Sequence, residues 1–177
     1  MLYAASMSVD GFIAGPGGDM SWLTPHLGPN PTVEALVGDI GALLIGRRTF
    51  DGDDPHKGTE REGKPFGGGW DGPQFVLTHR PPAAPVVGVT FVGDLQTAVS
   101  AAREAAGDKY VNIIGADVAR QCLVAGLVDE VLVCVVPVLL GDGVRLVDAA
   151  GGTDIALERI DVTAVPKATN LWFRVLR

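Results

Sequence analysis

Basic residues, cysteines, histidines and long apolar runs are all scarce in this sequence, and each scarcity removes a class of function. Lys and Arg number 14 against 21 Asp and Glu, for a formal net charge of −7. A binder of nucleic-acid backbone needs clustered Lys and Arg for counterion release, so nucleic acid is excluded as a partner; an isolated basic pocket for a small anion is not. The longest apolar run, Val131 to Leu140, contains Pro137 and is too short to span a bilayer. The Met1–Val9 segment has no basic flank and meets Asp10, so neither a secretory signal nor a membrane partner is expected, and the expected location is the cytoplasm. Cys122 and Cys134 cannot build a disulfide framework; each sits in an apolar stretch and reads as a buried thiol. His26, His56 and His79 are scattered, and HExxH, CxxC and GxSxG are all missing, which leaves no metal site and no hydrolase elbow to argue for. A Walker A motif and the GxGxxG fingerprint are missing too, which excludes a P-loop and a standard Rossmann reading.

What is present is core. With 47% hydrophobic residues in 177, the chain can bury one sizeable interior, and no composition break divides it, so residues 1–177 are expected to form a single domain. Strand and helix signals alternate along it. Leu2–Ser6, Ala42–Ile45, Phe75–Leu77, Val86–Val92, Tyr110–Ile114 and Glu130–Val136 read as strands. Pro31 opens a helix carrying Val33, Leu36, Val37 and Ile40. Asp94 caps another, with Ala98, Val99, Ala102, Ala105 and Ala106 on one side and Gly107 at its end. Asp117–Ala125 is a further helix closed by Gly126, and Ile155–Val165 with Asn170–Leu176 form a terminal hairpin. Such alternation implies right-handed crossovers. The fold class is therefore α/β: a three-layer α-β-α arrangement whose mixed, mostly parallel central sheet ends in an antiparallel C-terminal hairpin.

In such sheets ligands meet the carboxyl ends of the strands, so the residues just after each strand are the site candidates. Arg47, Arg48 and Thr49 follow one strand, as a phosphate clamp or as a solvated pair bridging Asp51 or Asp53. Thr78, His79 and Arg80 follow another. Gly115, Ala116 and Asp117 open a helix whose dipole favours phosphate, with Asp117 read as its capping residue. The glycine-rich Asp51–Gly72 segment has no periodicity and reads as either a functional lid or a mobile insertion. Within it, Asp53-Asp54 next to Pro55 form an acidic turn.

The stretches SVDGFIAGPGGDMSW, LLIGRRTFDGDDP, FVLTHR and GLVDEVLVCVVPVLLGDGVRLV together resemble the dihydrofolate-reductase-like superfamily, in particular the reductase branch of riboflavin biosynthesis. The resemblance implies an NADPH cofactor, a small heterocyclic or carbonyl substrate (pterin- or riboflavin-precursor-like) and a homodimer. It implies that Ser6 and Ile13 flank the nicotinamide carboxamide, that Arg47, Arg48 and Thr49 grip the 2′-phosphate and pyrophosphate, and that Thr78 and His79 contact phosphate. Gly115, Ala116, Asp117 and Val118 would lie under the pyrophosphate, with Trp22 near nicotinamide and substrate. The T-x-x-x-D-D-P pattern of Thr49–Pro55 makes Asp53 the expected substrate contact; the proton for the substrate would come from water, or from Asp53 if burial raises its pKa. Three positions depart from the family: Leu27 where reductases of folate carry an acid, Ile113 where the riboflavin branch carries one, and Ile114 in place of the first glycine of a Gly-Gly pair. These departures also admit a second reading, a dinucleotide-binding module without turnover.

Overall fold

The computed structural model describes residues 1–149, 151–152 and 154–177. β1 (Leu2–Ser8) is followed by a short β2 (Phe12–Ala14), α1 (Pro31–Gly38), β3 (Ile40–Gly46) and one helical turn, α2 (Arg47–Phe50). β4 (Gln74–Leu77), β5 (Val89–Val92), α3 (Leu95–Ala106), β6 (Tyr110–Ile114), α4 (Ala116–Val124) and β7 (Glu130–Val136) come next. The chain finishes with β8 (Val144–Arg145), β9 (Leu157–Val165) and β10 (Ala168–Val175). Eight strands join one sheet in the order β5-β4-β3-β6-β1-β7-β10-β9, while β2 and β8 form a separate ribbon. Every pair from β5 to β7 is parallel, and β7–β10 and β10–β9 are antiparallel. The expected α/β architecture with its C-terminal hairpin is the one observed.

The inner strands are continuous apolar runs because both of their faces are covered. In β3, Ala42 and Leu44 face one core while Leu43 and Ile45 face the other. The first core is closed by α3 and α4 through Ala98, Val99, Ala102, Ala106, Val118 and Cys122. α3 lands close: a Cβ on Gly41 would sit 2.5 Å from the Ala106 carbonyl oxygen, so only glycine lets the helix end meet the sheet there. The second core is covered by Leu36 of α1 and by Phe66 and Trp70 of the Asp51–Gly72 segment. Trp70 Nε1 also donates to the Ile40 carbonyl at 3.0 Å, so the later part of that segment is anchored on the sheet, while most of residues 51–64 are exposed.

Several boundaries differ from the sequence reading. Ile40 belongs to β3, not to α1, because Asp39 ends the helix and turns the chain into the sheet. Val86 and Val87 are exposed and lie outside β5, since β4 is short enough to be paired by Val89–Val92 alone. Ala105 faces solvent; only Ala98, Val99, Ala102 and Ala106 of α3 are buried. Both cysteines are free and buried, and burial pushes each thiol up to about 11. The apolar run from Val131 is the interior strand β7, buried between β1 and β10. No helix among the described residues is long and apolar enough to cross a membrane.

The hairpin is tied to α1 by two side-chain amides. Asn30 Nδ2 donates to Asn170 Oδ1 and Asn170 Nδ2 donates to Asn30 Oδ1, both at 2.9 Å, while Asn30 Oδ1 also caps α1 by accepting from Val33 N. Asn170 is fully buried, so truncating it leaves the Asn30 amide without its partner. Asn170→Ala is expected to cost about 1–3 kcal/mol, the usual penalty for an orphaned buried polar group, read as a lower urea midpoint at unchanged slope.

Candidate functional site

Parallel pairing sends the carboxyl ends of β4, β3, β6 and β1 to one edge. Gly46 is paired with Leu77, and Ile45 with Ile114, so Arg47, Thr78 and Gly115 leave three neighbouring strands side by side. A cleft of about 2310 Å³ opens at that edge and runs onto the second face of the sheet. Ser6, Ile13, Arg47, Arg48, Thr49, Asp53, Thr78, His79, Gly115, Ala116, Asp117 and Val118 all line it. Trp22 does not. It sits in a 3-10 turn, Ser21–His26, whose cleft-lining member is Leu23, and its buried indole N–H has no partner among the described residues.

The two arginines differ. Arg47 Nε donates to Asp51 at 2.5 Å, Nη1 donates to the Arg80 carbonyl at 3.2 Å, and the guanidinium stacks 5.8 Å from the Phe91 ring centre. It braces the turn, as the Asp51 bridge considered above required. Arg48 is exposed and makes no salt bridge among the described residues, which leaves its planar donors for a ligand.

The start of α4 is built for close approach. Gly115 has φ +110°, and a Cβ there would collide with Thr49 Oγ1. No side chain caps the helix, so its first N–H groups face the cleft edge without a side-chain acceptor. Asp117 is not the capping residue that the sequence suggested. Its carboxylate accepts from Arg120 Nη2 and Gln121 Nε2, both at 2.9 Å, and Arg120 first and then Gln121 hold it below the usual carboxylate range. As the second residue of the helix, it bonds forward along the helix surface instead of back over the end.

Asp53 Oδ2 accepts from the Met20 N–H and Oδ1 from Lys57 Nζ, each at 3.1 Å. Those bonds hold Asp53 below the ordinary carboxylate range, the Met20 amide contributing most. The condition for Asp53 to serve as a proton donor, a pKa raised by burial, is not met: desolvation is present but outweighed, and Asp53 stands as an anion.

Two parts of the site escaped the sequence reading. One is the β2–β8 ribbon, which brings Ala14, Gly143 and Val144 to the cleft. Asp10 pins it by accepting from Ser8 Oγ at 2.6 Å, Leu140 N at 3.1 Å and Gly141 N at 2.7 Å, with its carboxyl lowered to about 2, mostly by Ser8. The other is Asn112, the lone polar residue in the buried strand Tyr110–Ile114; that break in an apolar run was the available signal.

A sequence profile of the RibD C-terminal domain matches residues 1–171. The chain belongs to that family. Comparison with curated proteins finds no match. Among solved structures, the chain is similar to a protein named for riboflavin biosynthesis from Shewanella sp. PV-4, at 25% identity and TM-score 0.76 over 99% of this chain and 98% of that one. It is also similar to the diaminohydroxyphosphoribosylaminopyrimidine deaminase/5-amino-6-(5-phosphoribosylamino)uracil reductase of Thermotoga maritima, at 18% identity and TM-score 0.68, covering 99% of this chain but 56% of that one. The dihydrofolate reductase of Enterococcus faecalis, complexed with NADP(H), shares the fold at 17% identity and TM-score 0.61 over 99% and 96% of the two chains. The resemblance read from the sequence thus stands, in family and in fold.

The Asp53 geometry has a measurable consequence. A carboxyl whose folded pKa is lowered stabilises the protein above its ordinary value near 3.8, and that contribution is lost as the pH falls through the folded value. A carboxyl-carbon NMR titration should place Asp53 below the ordinary range in wild type. Lys57→Met should move its midpoint upward while leaving it depressed, because the Met20 N–H remains. An Asp53 midpoint near neutrality would contradict this geometry.

Proposed function

We propose that this chain is an NADPH-dependent reductase that delivers hydride to a small heterocyclic or carbonyl substrate, pterin- or riboflavin-precursor-like. The supporting observation is the convergence of three donor-bearing strand ends on a single cleft whose volume is more than twice that of the roughly 300–1,000 Å³ pocket that holds one small ligand. That volume suits a dinucleotide and a second molecule. Arg48 is the residue for the 2′-phosphate, with Arg47 holding the turn. The uncapped N-terminus of α4, with Gly115 lining the cleft beside it, suits a pyrophosphate. Ser6 and Ile13, on the β1–β2 side, are left for the nicotinamide end. NADPH supplies the hydride when bound, and the chain supplies orientation and the exclusion of water.

Held as an anion by Met20 and Lys57, Asp53 is suited to accept a hydrogen bond from substrate, and water is the proton source this reading favours. The pinned β2–β8 ribbon and the Asp51–Gly72 segment flank the cleft and would shield the reacting atoms once ligands fill it. Leu27 lines the same cleft without a proton to give. With Ile113 and Ile114 it favours the second reading, dinucleotide binding without turnover. We place the protein in the cytoplasm, where Cys122 and Cys134 stay reduced, and pair two copies through β9. That edge strand exposes Leu157, Ile160 and Val162.

A thermal-shift titration tests the reading. At about 100 times its dissociation constant NADPH should add ~2.7 kcal/mol, an upward shift of roughly 5–10 °C, and NADH much less. Arg48→Ala should abolish the difference between the two nucleotides while keeping a residual response to both. Equal responses in wild type would contradict the assignment of Arg48. Tight NADPH binding with no oxidation across pterins, pyrimidines and quinones would select the second reading.

A further inference from the structure

Asn112 sits in the middle of β6 and is 1% exposed, yet it lines the cleft. Its register neighbours are Leu43 on β3 and Leu2 on β1, so neither adjacent strand offers its side chain a hydrogen bond. Leu43, Ile45, Ile114 and Leu132 share its side of the sheet and line the same cleft. Asn112 Oδ1 is buried and has no hydrogen-bond partner among the described residues. A buried amide oxygen without a donor is costly, and an apolar residue of the same shape would fill this place without that cost. The other buried asparagine, Asn170, has its amide paired within the protein, which sets Asn112 apart.

The contrast points to a ligand as the missing donor. Apolar walls suit the faces of a flat ring, and the unpaired Oδ1 among them can read one N–H on its edge. Building on the reductase reading, we propose that Asn112 is the specificity-determining residue of the cleft. Its Oδ1 accepts from a ring N–H of a planar nitrogen heterocycle; a quinone has no N–H to give, so binding it leaves that oxygen unpaired even where its carbonyl meets the amide N–H. A site made to bond a donor discriminates against a molecule lacking it because the buried acceptor is then left unpaired.

The test uses Asn112→Leu, similar in volume and without polar atoms, with Asn112→Val as the alternative should Leu fail to fold. Affinity is measured calorimetrically for a diaminopyrimidinone, for a pterin, and for a naphthoquinone of comparable size without N–H groups, with and without NADPH. Wild type should bind an N–H ring more tightly than the quinone. Asn112→Leu should weaken that ring about 10- to 100-fold, leave the NADPH affinity unchanged, and unfold at the same or a higher temperature. Three results overturn the proposal: undiminished ring binding in the variant, a lowered unfolding temperature in the variant with ring affinity intact, or a wild type that takes none of the N–H rings. Loss of NADPH binding in wild type counts against the reductase reading alone, since the ring comparison is also made without nucleotide.

Discussion

Parallel hydrogen bonding between β4, β3, β6 and β1 is the constraint on which the rest of this molecule depends. Because these strands share a direction, their carboxyl ends cannot be scattered. Whatever follows each strand is delivered to the same edge, and the register decides how level the residues stand. Here it places Gly46 beside Leu77 and Ile45 beside Ile114, which sets the Arg47 turn, the Thr78 turn and the Gly115 turn in a row. The two apolar cores hold that register, since a one-residue slip in β3 would exchange Leu43 and Ile45 for Ala42 and Leu44 on opposite faces.

Charge is then assigned by hydrogen bonding more than by proximity. Two arginines lie next to each other, but Asp51 and the Arg80 carbonyl occupy Arg47, which makes it a brace and leaves Arg48 outward. Acidic groups near the edge are each tied locally: Asp117 to Arg120 and Gln121, Asp53 to Met20 and Lys57, and Asp94 to the N–H of Thr97 at the start of α3. An acidic protein can thus present a cradle suited to anions because its carboxylates near the cleft have donors of their own.

Much of this was legible in the residues. Continuous apolar runs bounded by Gly and Asp gave the inner strands, and the donors that follow them gave the cleft edge. Other features depend on geometry that no local pattern carries. The β2–β8 ribbon pairs segments 130 residues apart through Asp10 and Leu140, and three residues of Phe-Ile-Ala are too short to announce a strand. Asp117 reads as the capping residue from the sequence, yet Gly115 takes that position two residues earlier and the helix begins at Ala116. The lowered pKa of Asp53 depends on the Met20 amide, which only the fold brings to it. The resemblance implies Trp22 near the nicotinamide, whereas within the turn at Ser21–His26 it is Leu23 that lines the cleft.

The central claim is that one phosphorylated dinucleotide is held by donors from neighbouring strand ends at once. Backbone amide NMR shifts recorded during an NADPH titration test it most directly. The account predicts that amides of residues 46–49, 78–79 and 115–118 move together along a single saturation curve. Shifts confined to one of these turns, or clustered on the far edge of the sheet, would contradict it.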